Sequence, residues 1–242
     1  MKGKCVGVVL AVLLTAGLAF ANSGTVTSKN MVGFVKLTIP ENSITMCSLN
    51  FDTDKNLDEL FHGQLTGNNT PGSADNILAW DQASSRYVTY WRTPIDEWWK
   101  AGESGVTTDT ISPGQGFWII TRAGEGTQTV YLLGEVVDEP VTVVFEEGLN
   151  LFGPQYSAAL GINESLLATI GHGGNTPGSA DNILIWDRGT GRYVTYWLTP
   201  ITEWWKAGES SATTDSMDLG NGFWYIRRTG QGQLSWSEPK PY

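Results

Sequence analysis

Two pairs of adjacent tryptophans, Trp98–Trp99 and Trp204–Trp205, are the side chains of this sequence best suited to chemistry at a surface. Consecutive side chains of an extended segment point to opposite faces, so one ring of each pair is expected outside while its neighbour enters the core. An exposed indole beside Glu97 or Glu203 offers a rigid apolar face, an N–H donor and a nearby carboxylate. That set suits stacking on a sugar ring or anchoring a protein partner. The competing expectation is that both rings of each pair pack inward, because large aromatics dominate core burial.

Catalytic constellations are harder to assemble. At the offset of 106 residues that relates the two halves of the chain, His62 lands on Ala168 and Cys47 on Gly153, so no nucleophile–base pair recurs. No G-x-S-x-G, H-E-x-x-H or G-x-x-x-x-G-K motif is present. Asp81 with Asp96 or Glu97 has the composition of a glycosidase pair, yet Thr202 stands where Asp96 would repeat. The chain reads as non-enzymatic, with no catalytic residue assigned.

Calcium is the one cofactor the residues suggest. Asp52, Asp54, Asn56 and Asp58 alternate like the start of a calcium loop, but Leu57 and Gly63 fill the positions that need Gly and Glu. A second candidate is doubled: Asn69, Asp75 and Asn76, then Asn175, Asp181 and Asn182, in tight loops able to aim several oxygens at one ion. Asx turns account for the same residues without metal.

The repeat organises everything else. NTPGSADNILAWD returns as NTPGSADNILIWD, and RYVTYWRTPIDEWWKAGES as RYVTYWLTPITEWWKAGES, with no gap between Asn69 and Ser104. Trp80, Trp91, Trp98, Trp99 and Trp118 map onto Trp186, Trp197, Trp204, Trp205 and Trp224, leaving Trp236 unpaired. Each copy opens with short β-branched and aromatic runs, then a short helical stretch (NLDELF, NESLLATI), then an irregular Gly/Asn/Pro/Ser loop. NILAWD and RYVTYW form a hairpin, and neither face of RYVTYW is plainly polar. The expected fold is all-β: two tandem homologous sandwich- or barrel-like modules, each with one short helix. Their expected spans are 22–138 and 139–242, with Asp138-Glu139-Pro140 as the seam.

The order of opening strand, LNLFG-like strand, short helix, DNILIWD, RYVTYW and PGQGFW is similar to modules in secreted tandem β-repeat proteins of the Planctomycetes and Verrucomicrobia group of bacteria. It resembles more loosely the β modules of other bacterial surface proteins. Copy two departs from it where Asp218-Leu219-Gly220-Asn221-Gly222 replaces Ser112-Pro113-Gly114-Gln115-Gly116. The resemblance implies no assigned chemistry.

Lys2 and Lys4, the apolar run Val6–Phe20 and the exit Ala19-Phe20-Ala21 predict a secretory signal over residues 1–21. Its removal leaves no expected membrane span. Cys47 is then the single mature cysteine, so stability must come from cores and sheet pairing rather than internal disulfides. Loss of two lysines takes Lys+Arg from 15 to 13 against 25 Asp+Glu, moving the net charge from -10 to -12. Such a surface disfavours nucleic acid and anionic lipid. The expected role is a secreted structural or adhesive protein of the cell surface or matrix, partnered by itself or by extracellular glycan. The alternative is a tandem carbohydrate-binding protein using exposed Trp rings.

Overall fold

A computed structural model describes residues 31–242, so the expected signal at 1–21 lies outside the described residues. The first copy contributes β1 (Val32–Ile39), β2 (Ile44–Ser48), β3 (Phe51–Asp52), helix α1 (Leu57–Leu60), β4 (Asn76–Asp81), β5 (Arg86–Arg92), β6 (Trp98–Lys100), β7 (Gly116–Ile120) and β8 (Gln128–Val136). The second contributes β9 (Val143–Phe145), β10 (Gly148–Phe152), β11 (Leu160–Gly161), α2 (Leu167–Ile170), β12 (Asn182–Asp187), β13 (Arg192–Leu198), β14 (Trp204–Lys206), β15 (Ser216–Met217), β16 (Phe223–Arg227) and β17 (Leu234–Trp236). The two five-stranded sheets have the same order, β2-β7-β4-β5-β6 and β10-β16-β12-β13-β14. A β1-β8-β3 sheet completes the first copy; short β9–β17 and β11–β15 ladders complete the second. The all-β class is therefore observed. One short helix per copy is present, and the loop before β12 also holds a 3-10 turn, Pro177–Ser179, where only irregular chain was expected.

Local chemistry explains the elements. Asn56 caps α1 by accepting the Glu59 N–H while the Glu59 carboxylate accepts the Asn56 N–H, which closes a capping box. The β4–β5 turn is held by Asp81, whose carboxylate accepts from Ala83 N–H and Ser84 O–H. Asp187 does the same with Gly189 and Thr190. Ser85 is left-handed at φ 52 where copy two uses Gly191 at φ 61, the residue type that adopts this conformation freely.

The outer faces of the two five-stranded sheets cover one another as far as Tyr87 and Tyr193, and Trp91 with Trp99 and Trp197 with Trp205 lie half-buried beyond that contact, which is why RYVTYW lacks a polar face. Inward, Ile77, Tyr90, Trp98, Phe117 and Ile119 pack with Phe61 and the β1–β8 ribbon. Ile183, Tyr196, Trp204, Phe223 and Tyr225 do so in copy two. Outward, Met46, Trp118, Trp80 and Leu78 of one sheet meet Leu151, Trp224, Trp186 and Leu184 of the other. Trp80 lies edge-on to Trp224 at 5.2 Å, and Trp118 to Trp186 at 5.5 Å. Each such pair adds about 0.5–1.5 kcal/mol beyond area burial. The indoles are also wired across: Trp80 Nε1 donates to Leu149 O and Trp186 Nε1 to Ile44 O, both at 3.1 Å, while within each sheet Trp118 Nε1 donates to Tyr87 Oη and Trp224 Nε1 to Tyr193 Oη.

One register differs from the constant offset. Trp118 faces Met46 while Trp224 faces Leu151, so the opening strands match at 105 residues. Cys47 therefore corresponds to Phe152, not Gly153; the earlier alignment is corrected by the β-ladder. Ser48 and Gly153 then meet where the sheets join, beside the bridges Cys47–Asn221 and Gln115–Phe152. Ser48 N–H donates to Gly220 O at 3.1 Å and Gly153 N–H to Gly114 O at 2.9 Å. Asn50 locks the junction, donating to Pro154 O at 2.6 Å and accepting Gly220 N–H at 2.7 Å. No helix among the described residues is long and apolar enough to cross a membrane.

Candidate binding site

Hairpins β5–β6 and β13–β14 carry the paired tryptophans. In β6 the pleat sends Trp98 inward, fully buried, and Trp99 outward, half-buried; β14 repeats this with Trp204 and Trp205. Trp98 and Trp204 at 0% exposure cannot touch a ligand, so both leave the candidate binding set and join the core. Their backbone N–H groups are held by Asp58 and Asn163 side chains at 2.6 Å each, which fixes the strand against the helical segment.

Across the hairpin Trp91 faces Trp99 and Trp197 faces Trp205. The rings meet edge to face, 5.9 Å apart at 71° in the first copy and 5.8 Å at 73° in the second. Glu97 and Glu203 each accept the Trp99 or Trp205 indole N–H at 2.9 Å, so these carboxylates orient the ring. The Thr-Pro turn before each Trp pair closes by Thr93 N–H to Glu97 O and Thr199 N–H to Glu203 O, both 2.8 Å. Its left-handed corner, Asp96 at φ 64 and Thr202 at φ 61, projects Ile95 and Ile201 into solvent. A cleft of about 360 Å³ opens there, lined by Asn175, Trp197, Thr199, Pro200, Ile201 and Trp205. Trp91 and Trp197 were missed as site residues because period two assigned them only to a face; the cross-strand register was needed to set them beside Trp99 and Trp205.

The doubled Asn/Asp loops are tied by hydrogen bonds to distant parts of each copy. Asp75 and Asp181 are completely buried. Asp75 accepts N–H from Thr66 at 2.7 Å and from Arg122 at 2.8 Å; Asp181 accepts from His172 and Arg228 N–H, Tyr225 O–H and the Arg227 guanidinium. Both oxygens of each carboxylate accept N–H donors, and Asp181 in addition pairs with the Arg227 guanidinium at 2.7 Å. Burial raises the Asp75 pKa, against the lowering effect of the Thr66 and Arg122 N–H groups. Asn76 and Asn182 accept from Arg122 and Arg228 guanidinium groups, which also donate to Pro71 O and Pro177 O. Asn69 and Asn175 are exposed and apart from this network. Asp75, Asn76, Asp181 and Asn182 form an arginine-clamped loop in each copy. The recurring Arg122 and Arg228, 106 residues apart, were the available signal. Asn56 and Asp58 are likewise engaged, capping α1 and holding Trp98 N–H.

The other reactive types are occupied locally. Cys47 is buried and unpaired, its thiol donates to Thr45 O, and burial pushes its pKa up to about 12. That is the reverse of an activated thiolate. His62 is exposed beside Asp96 at 3.7 Å. Asp81 is lowered by the Ser84 hydrogen bond, whereas a general acid needs the opposite shift. Comparison of the chain with models of protein families, with curated proteins and with solved structures returned no match.

Proposed function

We propose that this chain is a secreted, non-enzymatic structural or adhesive β-repeat protein of the cell surface or matrix, acting through self-association. The observation that carries the reading is β1, an eight-residue strand at the edge of its sheet. Among the described residues no strand pairs with its free side. Its outward face, continued on β8, groups exposed apolar side chains at one end, Val32 and Phe34 at 70% and 62% beside Leu133 and Tyr131, with Lys36, Thr38, Thr129 and Glu135 sharing the face. Lys36 is the one charge on the strand to discourage pairing. A recess of about 620 Å³ at the ribbon's end, lined by Val32, Leu133, Glu135 and the 52–55 loop, adds depth to the same surface. Antiparallel pairing of β1 strands from two copies satisfies both edges in one isologous contact. The matching β9–β17 ladder of copy two has only three residue pairs, so the long ribbon belongs to copy one alone.

The charged start and apolar run before Asn22 support export. Occupied carboxylates and an inert thiol support a non-catalytic role. The test is size-exclusion light scattering across a concentration series of the native chain and a Phe34→Glu variant. Self-association that Phe34→Glu abolishes, with melting unchanged, is expected; a monodisperse monomer at all concentrations refutes the reading.

A further inference from the structure

Beyond assembly, the two tryptophan hairpins present a surface that self-pairing of β1 does not use. We propose that the cleft at Trp197 and Trp205 binds the apolar face of a pyranose ring in a neutral oligosaccharide, and that the matching surface at Trp91 and Trp99 is a second such site. The lining contains no ionisable group: two indoles, Pro200 and Ile201 supply apolar faces, Thr199 is buried, and Asn175 is the one exposed amide. A sugar has this duality, an apolar C–H face with hydroxyls around its rim. An amide is both donor and acceptor, so Asn175 can read a hydroxyl in either sense.

Ring placement is set before any ligand arrives. Trp205 is held by its edge-to-face contact with Trp197 and by its N–H bond to Glu203. A preset ring loses little side-chain freedom on binding, which raises affinity for a given contact area. At about 360 Å³ the cleft lies at the small end of ligand sites, roughly 300–1,000 Å³, suiting one or two rings.

Charge narrows the ligand. The net charge of -10 repels anionic sugars. A cage for a quaternary ammonium surrounds it with aromatic faces, whereas this cleft has two indoles set edge to face, and Glu203 turns Oε2 to the Trp205 indole and lies outside the lining. The first copy carries the same residue types at Asn69, Trp91, Thr93, Pro94, Ile95 and Trp99. It differs in the Arg92–Asp96 ion pair where copy two has Leu198 and Thr202.

The experiment titrates the full chain with neutral hexasaccharides of glucose, mannose and N-acetylglucosamine, by tryptophan fluorescence and calorimetry, with choline and a uronic-acid hexasaccharide as charged probes. At least one neutral hexasaccharide is expected to bind with Kd below about 1 mM, and Trp99→Ala/Trp205→Ala to weaken it at least tenfold. Should that variant unfold, Asn69→Ala/Asn175→Ala, at exposed positions, is expected to weaken binding at least threefold with unchanged melting. The proposal is overturned if no neutral hexasaccharide binds, if binding survives the folded variants undiminished, or if only choline or the uronic-acid chain binds. None of these outcomes depends on the oligomeric state.

Discussion

The junction between the two sheets makes a quantitative demand on one glycine. A Cβ placed on Gly153 would lie 2.1 Å from the Ser48 Cβ and 2.2 Å from its Oγ. Ordinary carbon contacts are about 3.5–4.0 Å, so Gly153→Ala must push the strands apart by more than an ångström. Overpacking alone costs about 1–3 kcal/mol. The shift also strains Ser48 N–H to Gly220 O and Gly153 N–H to Gly114 O, each worth about 1 kcal/mol. A loss of about 3–5 kcal/mol is therefore expected. Ser48→Gly alone loses the 2.8 Å hydrogen bond to Asn221 O and adds backbone freedom, about 1.5–2 kcal/mol together. The double variant removes the clash as well, so its loss should stay near that of Ser48→Gly rather than the sum. Urea unfolding of the four proteins gives the coupling energy, expected to favour the double variant by about 3 kcal/mol. Additive losses, or a Gly153→Ala variant within about 0.5 kcal/mol of the parent, would refute the packing of Ser48 on Gly153.

Trp204 Nε1 is a buried donor without a partner among the described residues, whereas Trp98 Nε1 reaches Phe61 O at 3.4 Å. Replacement by Phe should thus cost about 1 kcal/mol less at 204 than at 98 in denaturant unfolding. Cys47, with its thiol raised by burial, should be labelled by a thiol reagent only as fast as the protein unfolds; labelling within seconds of mixing would place it at the surface. Asp109 and Asp215 are lowered chiefly by the hydroxyls of Tyr90 and Tyr196, and Asp81 and Asp187 by Ser84 and Thr190. Depressed carboxylates contribute stability that is present above about pH 4 and lost as pH falls through their folded-state values. Asp75, raised by burial, runs the other way: its contribution is present below its unfolded value and lost as pH rises through its folded one. The stability lost between about pH 6 and about pH 3 should therefore shrink in Tyr90→Phe/Tyr196→Phe, as measured by urea unfolding at both pH values.

Strand alternation, turn chemistry and the repeat are local or translational properties, and they are written in the order of residues. They suffice to set β4 against β5, to place Trp80 with Trp186 and Trp118 with Trp224 at equivalent strand positions, and to send Trp98 and Trp99 to opposite faces. What RYVTYW does with its second apolar face is not local, because the covering sheet comes from the other half of the chain. The one-residue change of offset in the opening strands escaped for a related reason: LNLFG and ITMCS share too few side chains to align, and hydrogen bonding to β7 and β16 alone sets their register. Asp75 and Asp181 look like ligands for an ion in a list of residues. In the fold their partners are Arg122, Arg227 and Arg228, more than 40 positions away, brought in by sheet pairing. A buried carboxylate takes its role from the donors that long-range packing supplies, and only the tertiary structure decides which those are.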